Sequence, residues 1–320
     1  MLRNDSKLIS LEEAVALIPD GANCSFSGFS ETNNPMSFVR QMIRAGKKHL
    51  EVSGMGDAQS VELLCGAKAD DLVRVSNYMA RNGRCPNFSR CVENGTLQTE
   101  DYSHFGITNR FFAAAMGIPF MPVKVMIGSD MSHIQRIDAG TKIMEIEDPF
   151  SGERCGIMPA LSPDFAIIQV ARADELGNCQ LYGITSSIEI IARAAKHVIV
   201  TAEEIVSTDE IRRTNQYTIL PSFFVDHVVH CPFGAYPGGV YTYYDYDLEH
   251  LALITRSGKK PETMQQYLDE WIYGTADETA FFEKVGIQRL MALRADPYSG
   301  VSLQNRGYYC LLYTSPSPRD

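Results

Sequence analysis

The chain has 320 residues, 45% of them hydrophobic, and a formal net charge of -10. That length folds as one large domain or two small ones, and burial of about three quarters of the unfolded surface makes a core that needs no staples. The acidic balance, spread without a basic cluster, argues against nucleic acid and anionic membrane as partners, and no segment approaches the roughly 18 apolar residues of a membrane span.

Residues 1–20 hold no apolar run of signal-peptide length, so the expected location is cytoplasmic. Ser10-Leu11-Glu12-Glu13 fits a capping box ahead of Val15, Leu17 and Ile18, which predicts a first helix before a strand at Ala22 to Phe26. The strand runs into a Ser27-Gly28-Phe29 turn, where a glycine allows positive φ and close approach of a ligand to the main chain. Asn34 as N-cap and Pro35 as first helical residue open the next helix. His49 to Ser53, ending at Gly54-Met55-Gly56, and Leu72 to Ser76 read as the second and third strands, with helices between. This β-α-β alternation gives the fold class: α/β, an open, mostly parallel sheet with helices on both faces. Ligands of such sheets gather at the carboxyl ends of the strands, which selects the loops 27 to 34, 53 to 57 and 77 to 85.

Farther along, Phe165 to Val170, His197 to Thr201 and Phe223 to His230 read as strands, and Ser186 to Ala195 as a helix. From Pro261 to Leu293 the pattern is mainly helical, with Tyr267, Leu268, Trp271 and Ile272 at packing positions. No repeat or linker divides the chain. The expected organisation is a single domain over 1–309, in which about 250–309 form a helical C-terminal extension. Residues 310–320, Cys310 to Asp320, read as the translation of a transposase-based sequencing adapter, so the native C-terminus is expected to differ.

Few constellations carry chemistry by themselves. Gly54-x-Gly56 lacks the third glycine and the acidic partner of a dinucleotide fingerprint. The carboxylate pairs Asp70-Asp71, Glu203-Glu204 and Asp209-Glu210 read as solvated faces or helix starts. His227 and His230 lack a third ligand, and the eight cysteines lack Cys-x-x-Cys spacing, so no metal is expected and the thiols read as reduced and largely buried. In Glu93-Asn94-Gly95 the glutamate follows a helical stretch from Phe88 to Val92, with Asn94-Gly95 as its stop.

The stretch from Ser27-Gly28-Phe29 through Pro35 resembles the α-type subunit of family I coenzyme A transferases, whose first strand ends in a Gly-Gly-Phe turn; Ser27 stands for the first glycine. Glu100-Asp101-Tyr102-Ser103, Ala113 to Val123, Thr201 to Val206, Val225 to Val229, Pro232 to Pro237 and Tyr244 to Asp247 extend the likeness over roughly residues 7 to 295, most closely to the α-type subunit of glutaconate CoA-transferases. The resemblance implies a CoA-transferase/NagB-like fold and an enzyme that moves CoA between an acyl-CoA and a carboxylic acid, a glutaconate-like dicarboxylate or a 3-oxo acid. It implies a β-type partner subunit that carries the catalytic glutamate, in a heterotetramer or hetero-octamer, with coenzyme A as substrate and no tightly bound cofactor. The Glu-Asn-Gly nucleophile of the family belongs to that partner, not to Glu93. Here Ser27, Gly28, Phe29 and His104 are expected at the oxyanion and substrate, His104 where relatives carry Gln or Glu. Ser53, Asn77 and Arg84 are further candidates for a remote substrate carboxylate. A two-chain CoA hydrolase, a sugar-phosphate isomerase or sensor domain, and a non-catalytic scaffold protein stay open as alternatives.

Overall fold

Ser10 starts the first helix from both sides. Its hydroxyl accepts the Glu13 N–H at 3.1 Å and the Glu13 carboxylate accepts the Ser10 N–H at 2.8 Å, closing a capping box ahead of α1 (Leu11–Ala16). The computed structural model describes residues 6–80, 83–133, 142–296 and 299, and at 79, 80, 83, 84 and 133 the backbone. In chain order there follow β1 (Asn23–Phe26), α2 (Met36–Arg44), β2 (Leu50–Ser53), α3 (Ala58–Ala67) and β3 (Asp70–Val75). A hairpin, β4 (Met79–Ala80) and β5 (Gly83–Arg84), leads into α4 (Pro86–Glu93), β6 (Gln98–Asp101) and α5 (His104–Ala115). The second half carries β7 (Phe120–Val123), β8 (Met144–Glu147), β9 (Arg154–Pro159), β10 (Phe165–Ala173), β11 (Cys179–Gln180), β12 (His197–Ile205), β13 (Thr218–Leu220) and β14 (His227–His230).

A nine-stranded open sheet organises these elements. Its parallel order is β14-β12-β10-β1-β2-β3-β6, and β11 and β13 add antiparallel beyond the end of β10. Successive residues of β10 feed opposite layers: Ile167 packs with α2 and α3, while Ala166, Ile168 and Val170 pack with Ile107 and Phe111 of α5. Strands buried on both faces explain why β10 and β12 read as unbroken apolar runs. Strands β7, β9 and β8 form a separate antiparallel sheet beside α5. Among the described residues no helix is long and apolar enough to cross a membrane.

Four expectations change. Pro35, not Asn34, is the N-cap of α2, and the Asn34 side chain turns back to donate to Ser30 O at 2.9 Å. The strand expected from Phe223 begins only at His227, because Ser222–Phe224 forms a tight helical turn after Pro221. Strands β10 and β12 outrun their apolar stretches, since polar side chains continue the pairing as far as Arg172 with Glu204. Asp70 and Glu203 are not solvated: both are buried, Asp70 against the Cys65 thiol at 3.2 Å, with its carboxyl pushed by burial to about 6. Residues 310–320 lie outside the described residues.

The C-terminal helices are Leu248–Ser257, Pro261–Tyr267, Glu278–Val285 and Ile287–Leu293; Pro261–Tyr267 packs on α3, and the helical turn Leu268–Tyr273 that follows it packs on α2. Arg40 fixes this layer from inside the core, 1% exposed, with Nη2 at 2.5 Å and Nε at 3.0 Å from the Glu278 carboxylate. Its Nη1 donates to Tyr236 O at 2.6 Å and its plane stacks 4.0 Å over Phe281. Arg44 shares the same carboxylate at 2.7 Å. Removing one partner of a buried pair costs about 3 to 5 kcal/mol, because the other charge stays in low dielectric. Glu278→Gln should therefore lower the urea-unfolding free energy by about 3 kcal/mol; a loss no larger than that of a surface substitution would show that Arg40 is solvated some other way.

Candidate functional site

The loops after β1, β2 and β3 and the first turn of α5 meet at the carboxyl edge of the sheet. Ser27 anchors the first loop and is fully buried. Its hydroxyl donates to Asn33 O at 2.6 Å and accepts the Gln169 N–H of β10 at 2.9 Å, while its own N–H pairs with Ile167 O at 2.9 Å. Gly28 then takes φ +119°, open to glycine, and a Cβ there would lie 2.6 Å from Asn34 Cγ. Ser30 and Asn33 also sit at positive φ, 55° and 57°. Strain concentrated in one loop and held by tight hydrogen bonds is a mark of a functional segment.

The loop's amides are unequal. Phe29 N–H bonds Thr32 O at 3.1 Å and Ser30 N–H bonds Gly56 O at 3.1 Å, which couples the loop to the one after β2. Of the three amides in the turn, only that of Gly28 has no acceptor among the described residues. Gly56 lies flat against the Phe29 ring, where a Cβ would come within 2.9 Å of the ring edge. Ser76, at the end of β3, donates to Met55 O at 3.1 Å and sits 3.0 Å from His104 Nδ1. Ser103 caps α5, accepting the Gly106 N–H at 3.0 Å, and so sets His104 at the helix start, exposed and 6.4 Å from the half-exposed Phe29 ring. Glu31, the loop's carboxylate, is buried against the Ser30 hydroxyl.

Phe29 and His104 are thus brought together on an open face, while Gly28, next to Phe29 in the chain, is buried. Ser27 is near them but faces inward, with N–H and hydroxyl both engaged. Ser53 is fully buried and donates to Asn23 Oδ1 at 3.0 Å, so it does not reach that face. Asn77 is exposed just beyond Ser76, and Arg84 lies on β5 opposite Met79. Glu93 ends α4 with Gly95 at φ +70°. A helix that links parallel strands returns against their direction, so Glu93 lies at the opposite edge of the sheet from the loops.

Behind the loop stands a buried network that the sequence did not disclose. Gln169 Nε2 donates to Glu203 at 2.8 Å, and Glu203 also receives Tyr244 Oη at 2.5 Å and the Phe233 and Gly234 amides at 2.6 and 3.1 Å. Burial pushes the Glu203 carboxyl to about 8 against the pull of these donors. The one available signal was a carboxylate in an otherwise apolar strand, Val198 to Glu203. Under the second loop Asp57 is buried too, and desolvation raises it from 3.8 to about 7 despite the nearby Gly56 amide and Tyr78 hydroxyl.

A model of the coenzyme A transferase family matches residues 8–231. An uncharacterized protein of Archaeoglobus fulgidus is 36% identical over 90% of this chain, which spans 64% of that protein's length. The A subunit of glutaconate CoA-transferase from Acidaminococcus fermentans is 32% identical, covering 92% of this chain and 97% of the relative. The crystal structure of that transferase superposes with a TM-score of 0.88 at 31% identity, over 93% of this chain and 99% of its own. The A subunit of 3-oxoadipate CoA-transferase from Pseudomonas knackmussii is 30% identical over 88% of this chain and 98% of the relative.

Gly28→Ala should cost about 1 to 3 kcal/mol in urea unfolding, the usual range for a side chain held in a disfavoured backbone region; an unchanged midpoint would mean the turn has another path. Asp57 contributes stability that is full below pH 3.8 and is lost as pH rises to about 7, because its folded pKa is the higher one. The Tm advantage of Asp57→Asn over the parent should therefore grow across that window and level off above it, and a pH-independent difference would place the carboxyl in contact with water.

Proposed function

This chain belongs to the coenzyme A transferase family, and from that premise we propose that it is the α-type subunit of a cytoplasmic two-chain enzyme that moves CoA from an acyl-CoA to a carboxylic acid. The observation that carries the proposal is the meeting of the exposed Phe29 and His104 rings on one open face, beside the buried Gly28 whose amide has no acceptor among the described residues, with the loop's own carboxylate, Glu31, turned inward. The nucleophile then belongs to a β-type subunit. Phe105, Phe112 and Met116 project from one side of α5 and are 60%, 42% and 59% exposed, an apolar stripe that a partner would cover. That stripe begins one residue after His104.

The exchange needs no cofactor. A glutamate of the β-type partner attacks the thioester carbon, the C–S bond breaks, and CoA leaves as thiolate with an acyl-glutamyl anhydride behind it. The thiolate attacks the glutamyl carbonyl and expels the first acid, giving a glutamyl-CoA thioester. The incoming carboxylate attacks that thioester, and the returning thiolate then breaks the new anhydride at its acyl carbon, releasing the new acyl-CoA and restoring the glutamate. Each addition places a negative oxygen where fixed donors are needed. The Gly28 amide and the His104 ring supply them in this reading, and one such donor is worth about 3 to 4 kcal/mol of transition-state stabilisation. Asn77, just after β3, and Arg84, on β5, are assigned to the remote carboxylate of a glutaconate-like or 3-oxo acid. The acids in the names of the Acidaminococcus and Pseudomonas relatives support that substrate class.

The test is co-expression with the partner, followed by an assay of acetyl-CoA as donor against glutaconate and 3-oxoadipate as acceptors. Transfer should require both chains, and His104→Ala should lower kcat about 10²-fold with little change in Tm. Full activity from this chain alone would overturn the two-chain reading, and an unchanged kcat would remove His104 from the site.

A further inference from the structure

Ser76 has one hydroxyl proton and two neighbours. Its Oγ lies 3.1 Å from Met55 O and 3.0 Å from His104 Nδ1. A main-chain carbonyl can only accept, so the first contact is a hydrogen bond only if the Ser76 proton points at Met55. The oxygen then offers the imidazole nothing but lone pairs. The second contact is a hydrogen bond only if His104 carries its proton on Nδ1. The reverse assignment, Ser76 donating to the ring, would leave two oxygens 3.1 Å apart with no proton between them. Proton positions on histidine rings follow from such networks, and here one assignment alone makes both bonds.

We infer that Ser76 is a positioning residue that locks His104 in its Nδ1–H form, so that Nε2 is the atom the ring presents to the reacting group. The inference rests on the placement of His104 in the site proposed above. The Phe29 ring stands beside the imidazole, tilted 44° to it at 6.4 Å between centroids. The chemical consequence is specific. A neutral ring held this way shows a lone pair at Nε2, which repels an oxyanion. A ring with a second proton shows an N–H there, a charge-assisted donor. Ser76, already polarised by the Met55 carbonyl, is a better acceptor for Nδ1–H, as an outer partner is for a ligating histidine. Donation to an oxyanion from this ring therefore goes through Nε2–H, with Nδ1–H kept on Ser76 by a serine that never touches the substrate.

A double-mutant cycle on the co-expressed complex, run with the donor and acceptor pair selected from the assay above, separates this role from simple packing. Ser76→Ala should lower kcat about tenfold with KM within about twofold, and Ser76→Thr, which keeps the hydroxyl, should restore most of it. In a His104→Ala background Ser76→Ala should cause no further loss, since there is no imidazole left to orient. The inference is overturned if Ser76→Ala leaves kcat unchanged, or costs the same factor in both backgrounds. Should Ser76→Ala fail to assemble, Ser76→Cys, which keeps the volume and weakens both bonds, takes its place in the cycle. If His104→Ala alone leaves kcat at the parent value, the role given to His104 falls; if His104 matters and Ser76 does not, only the present inference falls.

Discussion

The Ser27 hydroxyl is the constraint on which the site depends. It sits where β1 ends, accepts an amide from the interior of β10, and donates to the far side of its own loop. A single oxygen therefore closes the loop and registers it against a central strand. Because it is buried, breaking either bond would strand a polar group in low dielectric, at a cost of about 1 to 3 kcal/mol. That penalty keeps the neighbouring residues in a conformation they would not choose.

Gln169 extends the constraint inward. Through it the loop is tied to Glu203, and through Glu203 to Tyr244 and to the turn at 233–234. A buried carboxyl surrounded by donors is rigid because any displacement leaves one of them unsatisfied. The active face thus combines two kinds of structure. Its exposed part is sparse, two rings, and its support is the bonded interior that runs from Ser27 through Gln169 to Glu203 and Tyr244. Preorganisation of that kind is what electrostatic stabilisation of a transition state requires, since donors that must first be gathered lose much of their value.

How much of this could be read from the chain follows the range of the interactions. The capping box at Ser10 and Glu13, the stop at Asn94-Gly95 and the apolar runs of β10 and β12 are decided within a few residues, and they were legible. The loops at the strand ends followed from the alternation of elements. The burial of Ser27 was not legible, because it depends on a strand 142 residues away, and Glu203 looked like half of a solvated pair until its four donors were assembled from three other segments. Ser53 and Ser76 show the limit most clearly. Both are serines at the carboxyl ends of adjacent strands, yet one points into the sheet and the other toward His104. Only the register of each strand decides which.

The Arg40–Glu278 pair bears on how the polypeptide is made. The two residues are 238 positions apart, so a ribosome releases α2 long before the carboxylate that neutralises it exists. Burying the guanidinium earlier would cost several kcal/mol. The second helix must therefore wait, loosely docked or held by other factors, until Glu278 has been made. The sheet's first layer is sealed by a segment synthesised 238 residues after it.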